Sequence, residues 1–139
     1  MRSLILLIYD YIINSYIIIR NIISIRSKKT KFIFYSENKS YLKYSYQLIE
    51  LLSKKFPNQV YYISSDMDDK IIDLDIKNFF IGSGFLMQYF FMTLKTENLF
   101  LTLTDLGNHS IKKTKNIKNY IYFFHAPIST TRGYADSAF

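Results

Sequence analysis

The chain has 139 residues and no cysteine, which excludes a disulfide framework, a thiolate metal site and a cysteine nucleophile. At 49% hydrophobic and 21% charged residues, with four glycines and two prolines, it is one ordinary domain's worth of folding sequence, neither disordered nor collagen-like. The net charge of +7 is uneven: residues 1–31 carry six Lys/Arg against the single acid Asp10, and the rest is nearly balanced, which excludes a uniformly basic nucleic-acid binder.

Residues 3–25 are strongly apolar, but Asp10 and Arg20 leave no uncharged run longer than nine residues. A membrane span needs about 20 apolar residues, so a span fits poorly. A signal peptide fits poorly too, because Asp10 breaks the apolar region and no small-residue cleavage site follows. At 100° per residue Arg2, Ser3, Asp10, Asn14, Arg20, Asn21 and Ser24 gather on about a third of the circumference. The expectation is an amphipathic basic helix over 1–30 with a narrow polar stripe and a wide apolar face. Two burials satisfy that face. One is packing against the domain body; the other is peripheral, in-plane contact of residues 3–31 with an anionic membrane, aided by the basic cluster at 26–31.

From residue 31 the pattern changes to short apolar runs alternating with helical periods. Residues 32–35 (FIFY) read as a buried strand, and 41–56 as a helix with Tyr44, Leu48, Leu51, Leu52 and Phe56 on its apolar face, stopped by Lys54, Lys55 and Pro57. A second strand is expected at 60–63. The acidic stretch 65–75 lacks the glycine and terminal glutamate of a calcium loop and reads as a solvated loop or short helix. A strand at 78–81, a buried helix at 85–95, and strands at 99–103 and 120–124 complete the series. Alternation of this kind predicts an α/β fold, a Rossmann-like parallel sheet with helices on both faces, over 31–139. Parallel sheets bind ligands beyond the carboxyl ends of their strands. The loops at 36–41, 64–66, 82–84 and 125–131 are therefore the candidates.

Gly82-Ser83-Gly84 follows a strand and opens a helix, so it is either a tight turn or a contact for a polar ligand on free helix-start N–H groups. Met87 stands where a dinucleotide fingerprint has its third glycine. Asp105 ends a strand, and either caps the next segment or orients a base. His125 directly follows the strand YIYFF, where parallel-sheet enzymes keep their chemistry, and imidazole exchanges protons near neutral pH. A structural histidine is the alternative. Ser129 and Thr130 suit the start of a helix aimed at an anion. His109 reads as an incidental loop residue. Lys112, Lys113, Lys115 and Lys118 form a basic connection, either solvated or facing an anionic acceptor. No metal or cofactor is called for.

The stretch 120–139, YIYFFHAPISTTRGYADSAF, resembles the CDP-glycerol glycerophosphotransferase family of teichoic-acid-type polymer synthesis. FYSE at 34–37, VYYISSDMDD at 60–69, IGSG at 81–84 and LTLTDLG at 101–107 occur in the family's order, so the resemblance covers about residues 31–139. Better-known members carry His-Gly-Thr-Pro where this chain has His125-Ala126-Pro127-Ile128. The resemblance implies two Rossmann-like domains of GT-B type facing across a cleft. His125 would be the catalytic base of the acceptor side, and Gly82, Ser83, Gly84, Asp105, Ser129 and Thr130 its substrate contacts. The CDP-glycerol-like donor would be held by a second domain that this chain, ending just after the motif, lacks. The acceptor would be an anionic polymer or a lipid-linked one, and the setting the cytoplasmic side of the membrane. A different GT-B sugar-nucleotide glycosyltransferase and a non-catalytic membrane-surface module or remnant remain the alternatives.

Overall fold

In the computed structural model, which describes residues 4–26, 30–102 and 113–123, β-branched and aromatic runs form the strands. These are β1 (Thr30–Ser36), β2 (Val60–Ser64), β3 (Lys77–Phe80), β4 (Thr96–Leu101) and β5 (Ile117–Tyr122). They make one sheet in the order β3-β2-β1-β4-β5, with every neighbouring pair parallel. The expected α/β class with a Rossmann-like sheet is therefore what forms. β4 and β5 each start three residues before the apolar run that marks them. Thr96 and Asn98 are drawn into the ladder because they have partners on both sides, Thr30 and Phe32 of β1, and Ile117 and Asn119 of β5.

Helices α1 (Leu4–Arg26), α2 (Leu42–Lys55) and α3 (Phe85–Thr93) cover the sheet, with a 3-10 turn at Lys39–Tyr41 before α2. α2 and the connection 65–76 lie on one face, while α3 and α1 lie on the other. Right-handed crossovers require this arrangement when the chain moves outward from β1 through β2 to β3 and then jumps back to β4. On the α2 face the rings of Phe34 and Phe100, paired in register, stack at 4.3 Å. On the other face Tyr35 meets Phe91 edge-on at 4.9 Å.

Three expectations need correction. The face of α2 is turned by about one residue: Ile49 is buried and Ser45 lies against the sheet, while Tyr44 and Leu51 are exposed. Serine's small side chain lets the helix axis approach the strands there, and Ile49 fills the space. The connection 65–76 is not simply solvated, because Asp69 and Ile71 are buried. It contains no helix. Asn78 instead holds it to β3, accepting from Ile71 N–H at 2.8 Å and donating to the Ile71 carbonyl at 2.8 Å. α3 buries only Phe90 and Phe91, leaving Phe85, Tyr89 and Met92 exposed.

α1 packs on the body through Ile18, Ile22 and Ile25, spaced as one helical stripe. Each such burial contributes about 1.5–3 kcal/mol. Asn21, expected on the polar stripe, turns inward and donates to the Phe80 carbonyl at 2.8 Å. The wide apolar face is only partly used: Tyr9, Ile12, Tyr16, Ile19 and Ile23 are exposed. Tyr11, near the buried stripe but earlier in the helix, is 74% exposed, so the body does not cover the stripe at that position.

The turn after β3 shows how tightly α1 sits. Gly82 has φ +64°, and a Cβ built there would lie 2.6 Å from Ile18 Cδ1; Gly84 has φ +67° with nothing within 4 Å. Positive φ disfavours any other residue at both positions, by about 1–3 kcal/mol. Gly82→Ala and Gly84→Ala should both destabilise, but only the Gly82→Ala cost should fall when Ile18→Val removes Cδ1. Denaturant unfolding of the three single variants and the two glycine–Ile18 double variants checks this; equal coupling of both glycines to Ile18 would contradict the packing.

Candidate functional site

At the carboxyl ends of the central strands the α2 side of the sheet changes from apolar to hydroxyl. Phe34 is followed two residues on by Ser36, Tyr62 by Ser64, and Phe100 by Thr102. Alternation along each strand keeps these residues on the α2 side. Ser36 pairs with Ser64 across the ladder, and Tyr35 with Leu101, so Thr102 stands beside Ser36. Adjacent strands are about 4.8 Å apart, which sets three hydroxyls in a row across β2, β1 and β4. The strand order reverses between β1 and β4, the place where open parallel sheets form their ligand crevice.

A buried carboxylate closes one end of the row. Asp69, only 3% exposed, accepts through Oδ2 from the Tyr62 hydroxyl and from Ser64 Oγ, each at 2.8 Å. Its Oδ1 is buried and has no hydrogen-bond partner among the described residues. At the other end the Thr102 hydroxyl, in a residue 4% exposed, also has no partner among the described residues. Ser36 Oγ donates to the Asn38 carbonyl, and Asn38 Oδ1 accepts from Ser40 N–H, starting the turn into α2. Asp66 ties the loops together: it accepts from the N–H groups of Asp68 and Lys39, while its own N–H donates to Ser64 Oγ.

The opposite side of the rim is closed by packing. The Tyr35 hydroxyl bonds Ser65 Oγ at 2.8 Å and donates to Met87 Sδ at 3.2 Å. Met87, in place of a third fingerprint glycine, thus fills the corner where a dinucleotide would need room. Gly82 is buried under Ile18, whereas Ser83 and Gly84 are exposed at the start of α3. His125, Asp105, Ser129, Thr130 and His109 lie outside the described residues. Lys113 and Lys115 precede β5, at the amino-terminal end of the sheet and away from the rim. The described rim is therefore acidic, with Glu37, Asp66, Asp68 and Asp69 against Lys39 and Lys70. Among the described residues no three His, Asp or Glu side chains gather as a metal site.

Of the loops named from the sequence, 36–41 and 64–66 border this rim, while Asp69 and the hydroxyl row were not anticipated. The signal was available: each central strand ends in Ser or Thr after an aromatic run, and alternation sets all three on one side. Fold and rim together define a Rossmann-like α/β domain with a row of buried hydroxyls at the carboxyl ends of its central strands. No family model, no curated protein and no solved structure matches the chain.

The buried phenols make the rim sensitive to alkali. Burial pushes Tyr35 up to about 12, with the Ser65 hydroxyl opposing and Glu37 adding to the rise. Burial pushes Tyr62 higher still, with Ser36 opposing and the Asp69 carboxylate adding. A phenol whose folded value lies above its unfolded value of about 10 stabilises the fold fully below pH 10 and loses that contribution as pH climbs through the folded value. Stability should therefore fall from pH 10 to 12, by about 2–3 kcal/mol for Tyr35 alone. Denaturation at pH 9, 10 and 11 should show a shallower fall for Tyr35→Phe than for the parent; equal slopes would contradict the assignment.

Proposed function

We propose that this chain is the acceptor-side domain of a transferase of the CDP-glycerol glycerophosphotransferase kind, and that the crevice at the reversal of strand order takes the hydroxyl end of a polyol acceptor. The observation that carries the reading is the buried Thr102 hydroxyl, without a hydrogen-bond partner among the described residues, at the end of the Ser64–Ser36 row. A hydroxyl left unpaired at 4% exposure costs about 1–3 kcal/mol, and a bound polyol would supply its partner. The acidic rim suits neutral hydroxyls, which donate to carboxylates, better than it suits phosphate. The strand preceding His125 ends level with Thr102: Phe123 N–H donates to the Leu101 carbonyl at 2.8 Å.

In this reading His125 takes the proton of the acceptor hydroxyl as its oxygen attacks the β-phosphorus of the CDP-linked donor. A new P–O bond forms, the bond to CMP breaks, and CMP leaves with the electron pair. The rim hydroxyls orient the nucleophile, since phosphoryl transfer depends chiefly on positioning and charge stabilisation. The donor is held by the second domain of the GT-B arrangement, with Gly84, Ser83, Gly82, Asp105, Ser129 and Thr130 on the acceptor side. The reaction runs at the cytoplasmic face of the membrane. The same row of hydroxyls also suits a sugar acceptor, which favours a GT-B glycosyltransferase as the second reading.

Calorimetric titration of the chain with glycerol-phosphate oligomers and with neutral oligosaccharides separates the two. Thr102→Val should bind the preferred acceptor at least about tenfold more weakly yet unfold later, by about 1 kcal/mol, because it removes an unpaired buried hydroxyl. Undiminished binding by Thr102→Val would overturn the crevice. The chain by itself should release no CMP from CDP-glycerol; release would overturn the two-domain reading.

A further inference from the structure

Asp69 is a buried acid without a counter-charge. It is 3% exposed, and among the described residues it forms no ion pair. Both hydrogen bonds that it accepts fall on Oδ2, from the Tyr62 hydroxyl and from Ser64 Oγ. Oδ1 has no partner among the described residues. Taking a carboxylate out of water is costly unless a cation or a full set of donors replaces the water. The surrounding hydroxyls cannot complete that set. A hydroxyl has one proton and two lone pairs. Tyr62 and Ser64 spend their protons on Asp69 Oδ2, and Ser36 spends its proton on the Asn38 carbonyl at 2.8 Å. One lone pair of Ser64 Oγ takes the Asp66 N–H at 3.0 Å. What Tyr62 and Ser36 have left to offer a ligand is lone pairs. The Asp66 charge adds to the same field, since both carboxylates raise the Tyr62 phenol.

We infer that Asp69 anchors the ammonium of a small primary amine that bears neighbouring hydroxyls, an amino-polyol or an amino sugar. An ammonium complements the place in charge and in polarity: it carries three donors and no acceptor. The described residues gather no three His, Asp or Glu side chains, so the donor set of a divalent metal is lacking and an organic cation is the better fit. The amine end sits on Asp69 Oδ1 beside β2, and the hydroxyls of the ligand follow the row towards Ser36 and Thr102 on β1 and β4. Thr102, whose hydroxyl can donate or accept, suits the hydroxyl end. Parting the loops that follow β1 and β2 gives access, and the bond from Lys39 N–H to Asp66 Oδ2 that joins them is long, at 3.5 Å. The inference rests on the uncompensated charge alone and holds whether or not the chain is part of a transferase.

The test is calorimetric titration of the chain at neutral pH with 2-amino-1,3-propanediol and with glycerol, which differ by an ammonium in place of the central hydroxyl. The amine should bind about tenfold or more tightly than glycerol. Asp69→Asn should abolish that preference and keep the fold, because the amide oxygen still accepts from Tyr62 and Ser64. Without ligand it should melt no lower than the parent, since an uncompensated buried charge is gone. Asp68→Asn, which removes an exposed acid one residue away, should bind the amine as the parent does. Equal binding of amine and glycerol by the parent, a preference that survives in Asp69→Asn, or equal stabilisation by potassium chloride overturns the inference. The parent's comparison of amine, glycerol and potassium needs no variant, so it decides the matter even where Asp69→Asn does not fold.

Discussion

A parallel sheet presents two apolar faces, and both must be covered before its strands can be stable. α2 and the connection 65–76 cover one face of this sheet. The other cannot be closed by α3 alone, because nine residues of helix span only about 14 Å. Ile18, Ile22 and Ile25 of α1 complete it. The rest of that side depends on this contact. Gly82 must lack a side chain to admit Ile18, and Asn21 anchors the carbonyl of Phe80 at the end of the edge strand β3.

With both faces closed, the sheet can carry a polar layer at one end. The stacked Phe34–Phe100 pair lies directly beneath Ser36 and Thr102, and Tyr62 beneath Ser64. Two buried oxygens, Asp69 Oδ1 and Thr102 Oγ1, have no partner among the described residues, at a cost of about 1–3 kcal/mol each. Both lie at the carboxyl ends of strands on either side of β1. A fold that sustains such costs at one place, while its other described buried side-chain polar atoms are paired, has concentrated its strain where ligands bind in this topology.

Charge is segregated in the same way. Acidic residues stand at the rim, Lys113 and Lys115 at the opposite end of the sheet, and the excess positive charge on the arm that contains α1. The edge strands follow the usual protection, being short and carrying Lys77 on β3 and Lys118 on β5.

Alternating apolar runs and helical periods by themselves determined that a parallel α/β sheet forms, and they located β1, β2, β3 and the glycine turn to within a residue or two. Periodicity is local, and it reports which residues can share a side. Which side is buried depends on volume and on neighbours far away in sequence. Ser45 and Ile49 won the face of α2 over Tyr44 and Leu51 because a small residue and a branched one fit the sheet beneath them. Asn21 turned inward because the Phe80 carbonyl, 59 residues on, needed a donor. Asp69 was legible only as one acid among several until the Tyr62 and Ser64 hydroxyls came within 2.8 Å of it. The strand order, and with it the reversal between β1 and β4, was likewise decided only in three dimensions, since pairing of strands distant in sequence has no local signal.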